Sequence, residues 1–326
     1  MEISKGIEKT ASFTHKKSSL KTKKGLREKI RKNKLYYFLM LPSLIYFLIF
    51  SYMPMFGIVI AFKDIAPFEG LRGIFSGPWV GLTHFKNFVN SYYFWNIMGN
   101  TLMISIYKIG FGFPAPIILA LLLNEVKNER FKKTIQTISY LPHFISMVVL
   151  AGLLNNILST DGGIVNEIVK LFGKDPIQFL GDARYFRSVL VISDIWGGIG
   201  WSSIIYLAAI TGVDGSLYEA AVIDGAGKLR QTWSVTLPAI SNIVVIMFIF
   251  RIGSLLNAGF EQIFNLYSPP VYEVSDIIDT FVYRAGLQDM RYSFAAAVGL
   301  FKSVIALILI VSTNLLANKF DQKGLW

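Results

Sequence analysis

Six stretches of the chain are each apolar over more than about 20 residues, the length that carries an α-helix across a bilayer at a rise of about 1.5 Å per residue. They run approximately over residues 35–62, 97–124, 134–158, 186–210, 239–264 and 292–318. Several contain residues that would break a soluble helix, among them Pro42, Pro54, Pro114 and Pro116. Inside a membrane such residues are tolerated, and kinks are common. A water-soluble helical core is the alternative. It is excluded by a charged content of 16% beside 53% hydrophobic residues, because a soluble domain carries about 25% charge. The expectation is an all-α, polytopic membrane protein with six transmembrane helices.

The net charge of +11 then has to be placed. Residues 1–34 hold twelve Lys and Arg against three Glu, so this arm carries +9 of it. That makes residues 1–34 a basic cytoplasmic arm, 35–318 the six-helix body, and 319–326 a short cytoplasmic tail. A long basic arm ahead of a long apolar run is not a signal peptide. It is read as an anchor on anionic membrane lipid, where each cation near the surface is worth about 1 kcal/mol, rather than as a nucleic-acid contact. With the N-terminus inside, cytoplasmic segments hold twenty Lys and Arg and the opposite side with nearby span ends holds nine. This asymmetry places both termini in the cytoplasm. The chain has no cysteine, and its three histidines, His15, His84 and His143, are far apart in sequence. Thiol, iron–sulfur and Cys-zinc chemistry are thereby removed, and no catalytic residue or metal site is expected.

The cytoplasmic loop at 211–238 carries the strongest pattern. Ser216 with Glu219 three residues on predicts a capping box that opens a short helix through Ala220, Ala221, Val222 and Ile223. Gly225 and Gly227 then permit a sharp turn. A second short helix is expected from about Lys228 to Val235, with Pro238 at the start of the fifth span. The spacing Glu219-Ala220-Ala221-x3-Gly225-x9-Val235-x-Leu237-Pro238 resembles the EAA coupling loop of ABC-importer permeases, with Val where Ile is usual. Asp224 and Ala226 also match the common form of that loop. Gly225-Ala-Gly227-Lys228 superficially resembles a phosphate-binding loop. It lacks the first Gly, where Val222 stands, and the Ser or Thr after Lys, where Leu229 stands.

The resemblance extends over most of the body. Phe62-Lys-Asp64, Ser76-Gly-Pro-Trp-Val-Gly81, the run from Gln136 to His143 and Gly259-Phe-Glu-Gln-Ile-Phe264 are similar to the branch that serves oligo- and polysaccharides and is related to maltose-type permeases. What the resemblance implies is a non-enzymatic transport subunit in a bacterial cell membrane, forming half of a path for an oligosaccharide. It also implies a second homologous permease, two copies of a separate ATPase docked on the elbow, and an extracellular sugar-binding lipoprotein. ATP and magnesium are expected on the ATPase, and no cofactor on this chain. The rival readings are an ion-coupled secondary transporter or channel, which leaves the coupling loop unexplained, and a membrane-embedded enzyme, for which no reactive set converges.

Ionisable residues inside a bilayer are costly and face a partner or a cavity. Four fall within the expected spans: Lys108, Asp194, Arg251 and Lys302. A helix continuing through 239–264 would put Arg251, Ser254, Asn257 and Glu261 on one face. Asp194 and Trp201 would share a face of the fourth span, with Trp196 nearby. Asn257, Glu261, Asp194, Trp196 and Trp201 are the planar polar and aromatic types that bind sugars. Each is equally open to pairing or helix packing, as Asp194 with Arg251 or Lys302 would be. Three cations against one anion suit an anionic sugar. His143, beside Pro142, is expected to be structural. The aromatic segment of Trp79, Phe85, Phe88, Tyr92, Tyr93 and Trp95 is read as an interfacial belt, with a surface under a docked binding protein as the alternative.

Overall fold

The computed structural model describes residues 32–319. The terminal tail and the basic arm up to residue 31 lie outside these described residues, so the expectations for them are not addressed. Among the described residues the regular elements are all helices, apart from a single bridge between Lys63 and Trp79. It divides at Phe56/Gly57 into two units, which are described separately.

The first unit holds most of the first apolar helix, α1 (Lys34–Phe62). Pro42 lies inside this helix, and a π-turn occupies Leu48–Tyr52. Tyr46 and Phe50, four residues apart, bring their rings to 4.9 Å, as neighbours on a helix face should.

The second unit contains the remaining long helices: α2 (Phe94–Glu125), the bent pair α3 (Glu129–Phe144) and α4 (Met147–Ile157), α5 (Ala183–Thr211), α7 (Lys228–Gly253) and α9 (Tyr292–Lys319). Two short helices complete the set used below, α6 (Gly215–Ile223) and α8 (Phe260–Leu266). Five helices are long and apolar enough to cross a membrane, or six when the bent pair is taken as one span.

Two of the expected spans differ from the structure. The third is broken, with α3 and α4 meeting at 106°. Pro142 enters a 3-10 turn at Leu141–Phe144, and Ser146 caps the new helix by accepting the Val149 N–H. A proline followed by an N-cap residue ends one helix and starts another. The fifth span lies earlier than expected, at Lys228–Gly253 instead of 239–264. It ends at Gly253, with Ser254 as its cap residue, and the chain then passes through a 3-10 turn at Leu255–Asn257 into left-handed backbone at Ala258 and Gly259, with φ of 46° and 90°. At Gly259 the positive φ favours glycine, and a Cβ there would also crowd the Lys108 ammonium.

Three buried clusters hold the second unit together. At the elbow end Ala120, Tyr206, Ile210 and Ile240 join α2, α5 and α7. In the middle Ile104, Ala151, Phe186, Leu190 and Ile263 join α2, α4, α5 and α8. At the far end Phe88 is fully buried, with Phe94, Phe281, Phe294 and Phe301 at 5.1–6.4 Å. Phe88 therefore leaves the expected aromatic belt, because offset and edge-on packing against four rings outweighs an interfacial position. Trp79, Tyr92, Tyr93 and Trp95 remain exposed.

The break in the third span brings α3 against α5 at Gly200. A Cβ at that position would run into the backbone carbonyl of Ser139. Gly200→Ala is therefore expected to destabilise the protein by about 1–3 kcal/mol, because backbone cannot yield as a side chain does. Thermal unfolding in detergent measures this, and a Gly198→Ala control, where a Cβ meets open space, should leave the midpoint unchanged.

Candidate functional site

The first site is the elbow. Helix α6 begins at Asp214, whose carboxylate accepts the Ser216 N–H at 2.9 Å. This contact, first to the backbone amide of Ser216, holds the Asp214 carboxyl below the usual carboxylate range. The expected capping box at Ser216 and Glu219 is replaced by a simple N-cap two residues earlier, since Leu217 at N3 has no side-chain acceptor. Asp is as good an N-cap as Ser, and its position gives α6 a further turn residue. Glu219, Ala220 and Asp224 are exposed on this short helix, and Ala221 and Ala226 are half-buried. Gly225, at φ 76°, makes the turn, and the Ala226 N–H closes it on the Ala221 carbonyl at 2.8 Å.

The expected second short helix is absent as a separate element. Lys228 begins a helix that runs on into the fifth span as α7. Continuity is kept past Pro238 by a π-turn at Thr232–Thr236, which accommodates the donor that proline lacks. Leu237 packs with the elbow-end cluster, and Pro238 is exposed. Lys228 reaches Glu125 at the end of α2, 3.1 Å away. Above this contact Asn124, Glu125, Tyr218, Glu219 and Val222 line an open groove of about 550 Å³. Ile223 and Leu229 are 85% and 80% exposed. Isolated apolar side chains on a surface are ordinary, but Val222, Ile223 and Leu229 beside a groove form a patch of the kind a partner covers.

The second site lies between α2, α5 and α7. Ser105, Lys108, Asp194, Arg251, Ser254 and Asn257 line a polar cavity of about 180 Å³. Asp194 gives one carboxylate oxygen to Lys108 at 3.3 Å and the other to Arg251 at 3.2 Å. Lys108 also donates to the Gln262 side-chain oxygen. The Gln262 amide nitrogen donates to the Leu190 carbonyl at 2.9 Å and to the Ser193 hydroxyl at 2.8 Å. Both ends of this buried amide are satisfied, as a buried polar network requires.

Of the seven residues expected on the substrate path, the structure gathers three here: Asp194, Arg251 and Asn257. Trp196 instead lines a separate apolar cavity of about 540 Å³ with Leu154, Phe179, Tyr185 and Ile192. Lys302 is held by both carboxylate oxygens of Asp279 at 2.6 and 2.7 Å. Glu261 is exposed on α8 and does not line the cavity, because the helix that would have aligned it with Arg251 ends at Gly253. The expected three-to-one excess of cations is accordingly reduced, since Asp279 neutralises Lys302.

Trp201 stacks face to face on His143, with centroids 4.6 Å apart and planes within 5°. Phe144 meets the same indole edge-on at 5.7 Å. His143, expected to be structural, is thus part of an aromatic platform at the break of the third span. Its signal in the sequence is Pro142 followed by Ser146, which marks a helix break inside an apolar run. Asp279 and Gln262 carry no such signal. Their partners, Lys302 and Lys108, are far off in the chain and meet them only in the fold.

Removing the Asp194 charge leaves Lys108 buried beside Arg251 with no counter-charge. Asp194→Asn is expected to cost about 3–5 kcal/mol. Arg251→Gln should cost less, because Lys108 still neutralises Asp194. Melting midpoints of the two variants in detergent give the order.

Residues 112–323 match the family described as the binding-protein-dependent transport system inner membrane component. The polygalacturonan/rhamnogalacturonan transport system permease protein YteP of Bacillus subtilis (strain 168) is 46% identical over 93% of this chain and 94% of its own. A crystal structure of a bacterial ABC transporter involved in the import of the acidic polysaccharide alginate matches with a TM-score of 0.84 and 40% identity, over 90% of this chain and 98% of that one. A second structure, of the bacterial alginate ABC transporter in complex with alginate pentasaccharide-bound periplasmic protein, matches at 0.85 and 39%, over 92% of this chain and 99% of that one. The long apolar helices, the elbow and these matches lead to one conclusion: the chain belongs to the inner membrane components of binding-protein-dependent transport systems, the permeases of ABC importers.

Proposed function

We propose that this permease forms half of the path of an ATP-driven importer for an acidic, uronate-containing oligosaccharide. The single observation that carries the substrate reading is the polar cavity. Two cations, Lys108 and Arg251, share one carboxylate there, so the cavity holds one positive charge in excess at a depth where charge is costly. A sugar carboxylate entering beside Arg251 would balance it. Support comes from the relatives, whose descriptions name polygalacturonan/rhamnogalacturonan and alginate.

The aromatic platform fits the same path. Non-helical backbone at membrane depth is tolerated where it is buried in protein or lines a water-filled cavity. The break at Leu141–Ser146 leaves His143 and Phe144 exposed, and Trp201 is 46% exposed. Indole and imidazole rings offer a π-face for the C–H patches of a pyranose and N–H edges for its hydroxyls. The elbow faces the cytoplasm in this reading, with both termini on that side. An ATPase subunit docks on α6 through Glu219, Val222 and Ile223, and binds the ATP and magnesium itself. A second permease completes the path, and a sugar-loaded extracellular binding protein delivers to it.

Cells carrying the assembled importer should take up labelled oligogalacturonate and not maltooligosaccharide. Arg251→Gln should lower oligogalacturonate uptake by about tenfold or more, the loss expected for a charge-assisted contact. Equal uptake of both sugars, or uronate uptake unchanged in the variant, would sink the acidic-substrate reading. An ATPase-dead partner should abolish uptake, whereas an ion-coupled carrier would continue.

A further inference from the structure

Helix α6 makes its main tertiary contact with the π-turn Thr232–Thr236 at the root of the fifth span. At that contact the hydroxyls of Tyr218 and Thr236 are hydrogen-bonded at 2.9 Å. Tyr218 is half-buried and Thr236 is 3% exposed. The remaining ties of the elbow are of a different kind. Lys228–Glu125 joins two exposed side chains, and such pairs contribute little. Gln231 donates to the Ala226 carbonyl at 2.7 Å, which closes the turn upon itself. The Tyr218–Thr236 pair is therefore the shielded side-chain link between α6 and α7.

The π-turn has a definite local cause. Pro238 has no N–H and, in α-helical register, its ring would press on the carbonyl of Ser234. The helix opens by one residue just before it, and the Leu237 N–H bonds to the Thr232 carbonyl, five residues back. One additional residue in a turn offsets the two sides of the helix by about 100° relative to an uninterrupted α-helix. The turn is consequently the place where α7 can change its angle or rotation without breaking its hydrogen-bond ladder elsewhere. Most of the described helix beyond it is regular up to Gly253, where the cavity residue Arg251 sits.

We propose that the π-turn Thr232–Thr236 is the joint that passes displacement of the elbow into the fifth span, and that the Tyr218–Thr236 hydroxyl pair is its link. Both residues are positioning residues: they touch neither sugar nor nucleotide. Motion of α6 pulls on Thr236, the π-turn converts that pull into a tilt of α7, and Arg251 moves with the helix relative to Asp194 on α5. This inference rests on the reading that an ATPase docks on α6.

The test uses the complete importer with its ATPase, second permease and binding protein in proteoliposomes, with labelled trigalacturonate as the probe. Tyr218→Phe and Thr236→Val each remove one hydroxyl with little change of shape. Thr236→Val, outside the docking groove, is expected to keep binding-protein-stimulated ATP turnover within about twofold while lowering sugar accumulated per ATP by about fivefold, and Tyr218→Phe should give the same fall in sugar per ATP. The double variant should be no worse than either single one, because both break the same link. Thr236→Ser keeps a hydroxyl and should restore the wild-type ratio. Unchanged sugar per ATP in both single variants would overturn the proposal. So would parallel loss of both activities with a lowered melting midpoint, which marks a merely structural contact. The docking reading is tested separately by Glu219→Arg, which should release the ATPase in pull-down. If that variant retains the ATPase, the docking reading fails whatever the joint does. Should trigalacturonate not be transported by the wild type, galacturonate is the wrong uronate, and the same ratio is read with alginate pentasaccharide.

Discussion

Asp194 is the charge on which the interior of this permease is organised. A carboxylate within apolar helices is tolerated only where partners neutralise it. Here each oxygen has its own cation, Lys108 from α2 and Arg251 from α7. The arrangement ties three long helices to one point. The Lys108 ammonium also lies where a Cβ on Gly259 would fall, in the left-handed turn that follows the fifth span. Beyond that turn the separate helix α8 begins, and its buried Gln262 accepts from Lys108. What remains on the open side is a small polar cavity with one cation in excess, next to the part of the chain that cannot be helical.

Two of the irregular places in the long helices have a clear chemical cause. Pro142 and the Ser146 cap break the third span, and Pro238 opens the π-turn at the foot of the fifth. Since lipid offers no hydrogen-bond partners, a break facing it would leave backbone groups unpaired. The breaks therefore mark surfaces that meet water, substrate or other protein. The aromatic platform of Trp201 and His143 sits at one of them. The link between the elbow and α7 sits at the other. In the proposed reading, the bundle is stiff along its spans and changes shape at its breaks, so the same features would serve binding and motion.

The two functional regions differ in how they are specified. The elbow is a local structure. Its cap, its positive-φ glycine and its exposed acidic and apolar side chains lie within a dozen or so neighbouring residues, so short-range rules reach them. The cavity is assembled across the chain, from residues on three helices and from the turn that follows one of them. Its composition depends on which helices are neighbours and on where each one stops.

That difference sets what was legible beforehand. The sequence alone determined the class of fold, the helix count within the ambiguity of the broken span, and the elbow with Glu219, Gly225 and Pro238. Hydrophobic length, charge content and residue spacing act locally and need no knowledge of packing. It missed by two residues where α6 is capped, because Asp214 and Ser216 are both competent caps and only the folded backbone chooses between them. It extended the fifth span through Glu261, since the apolar pattern carries on past Gly253 and gives no sign of the turn at Leu255–Gly259. The pairing of Lys302 with Asp279, the stack of His143 on Trp201 and the removal of Phe88 into a buried cluster were decided by the tertiary structure. Each depends on contacts between distant segments, and in such contacts a charge or a ring is placed by the partner it meets rather than by its neighbours in the chain.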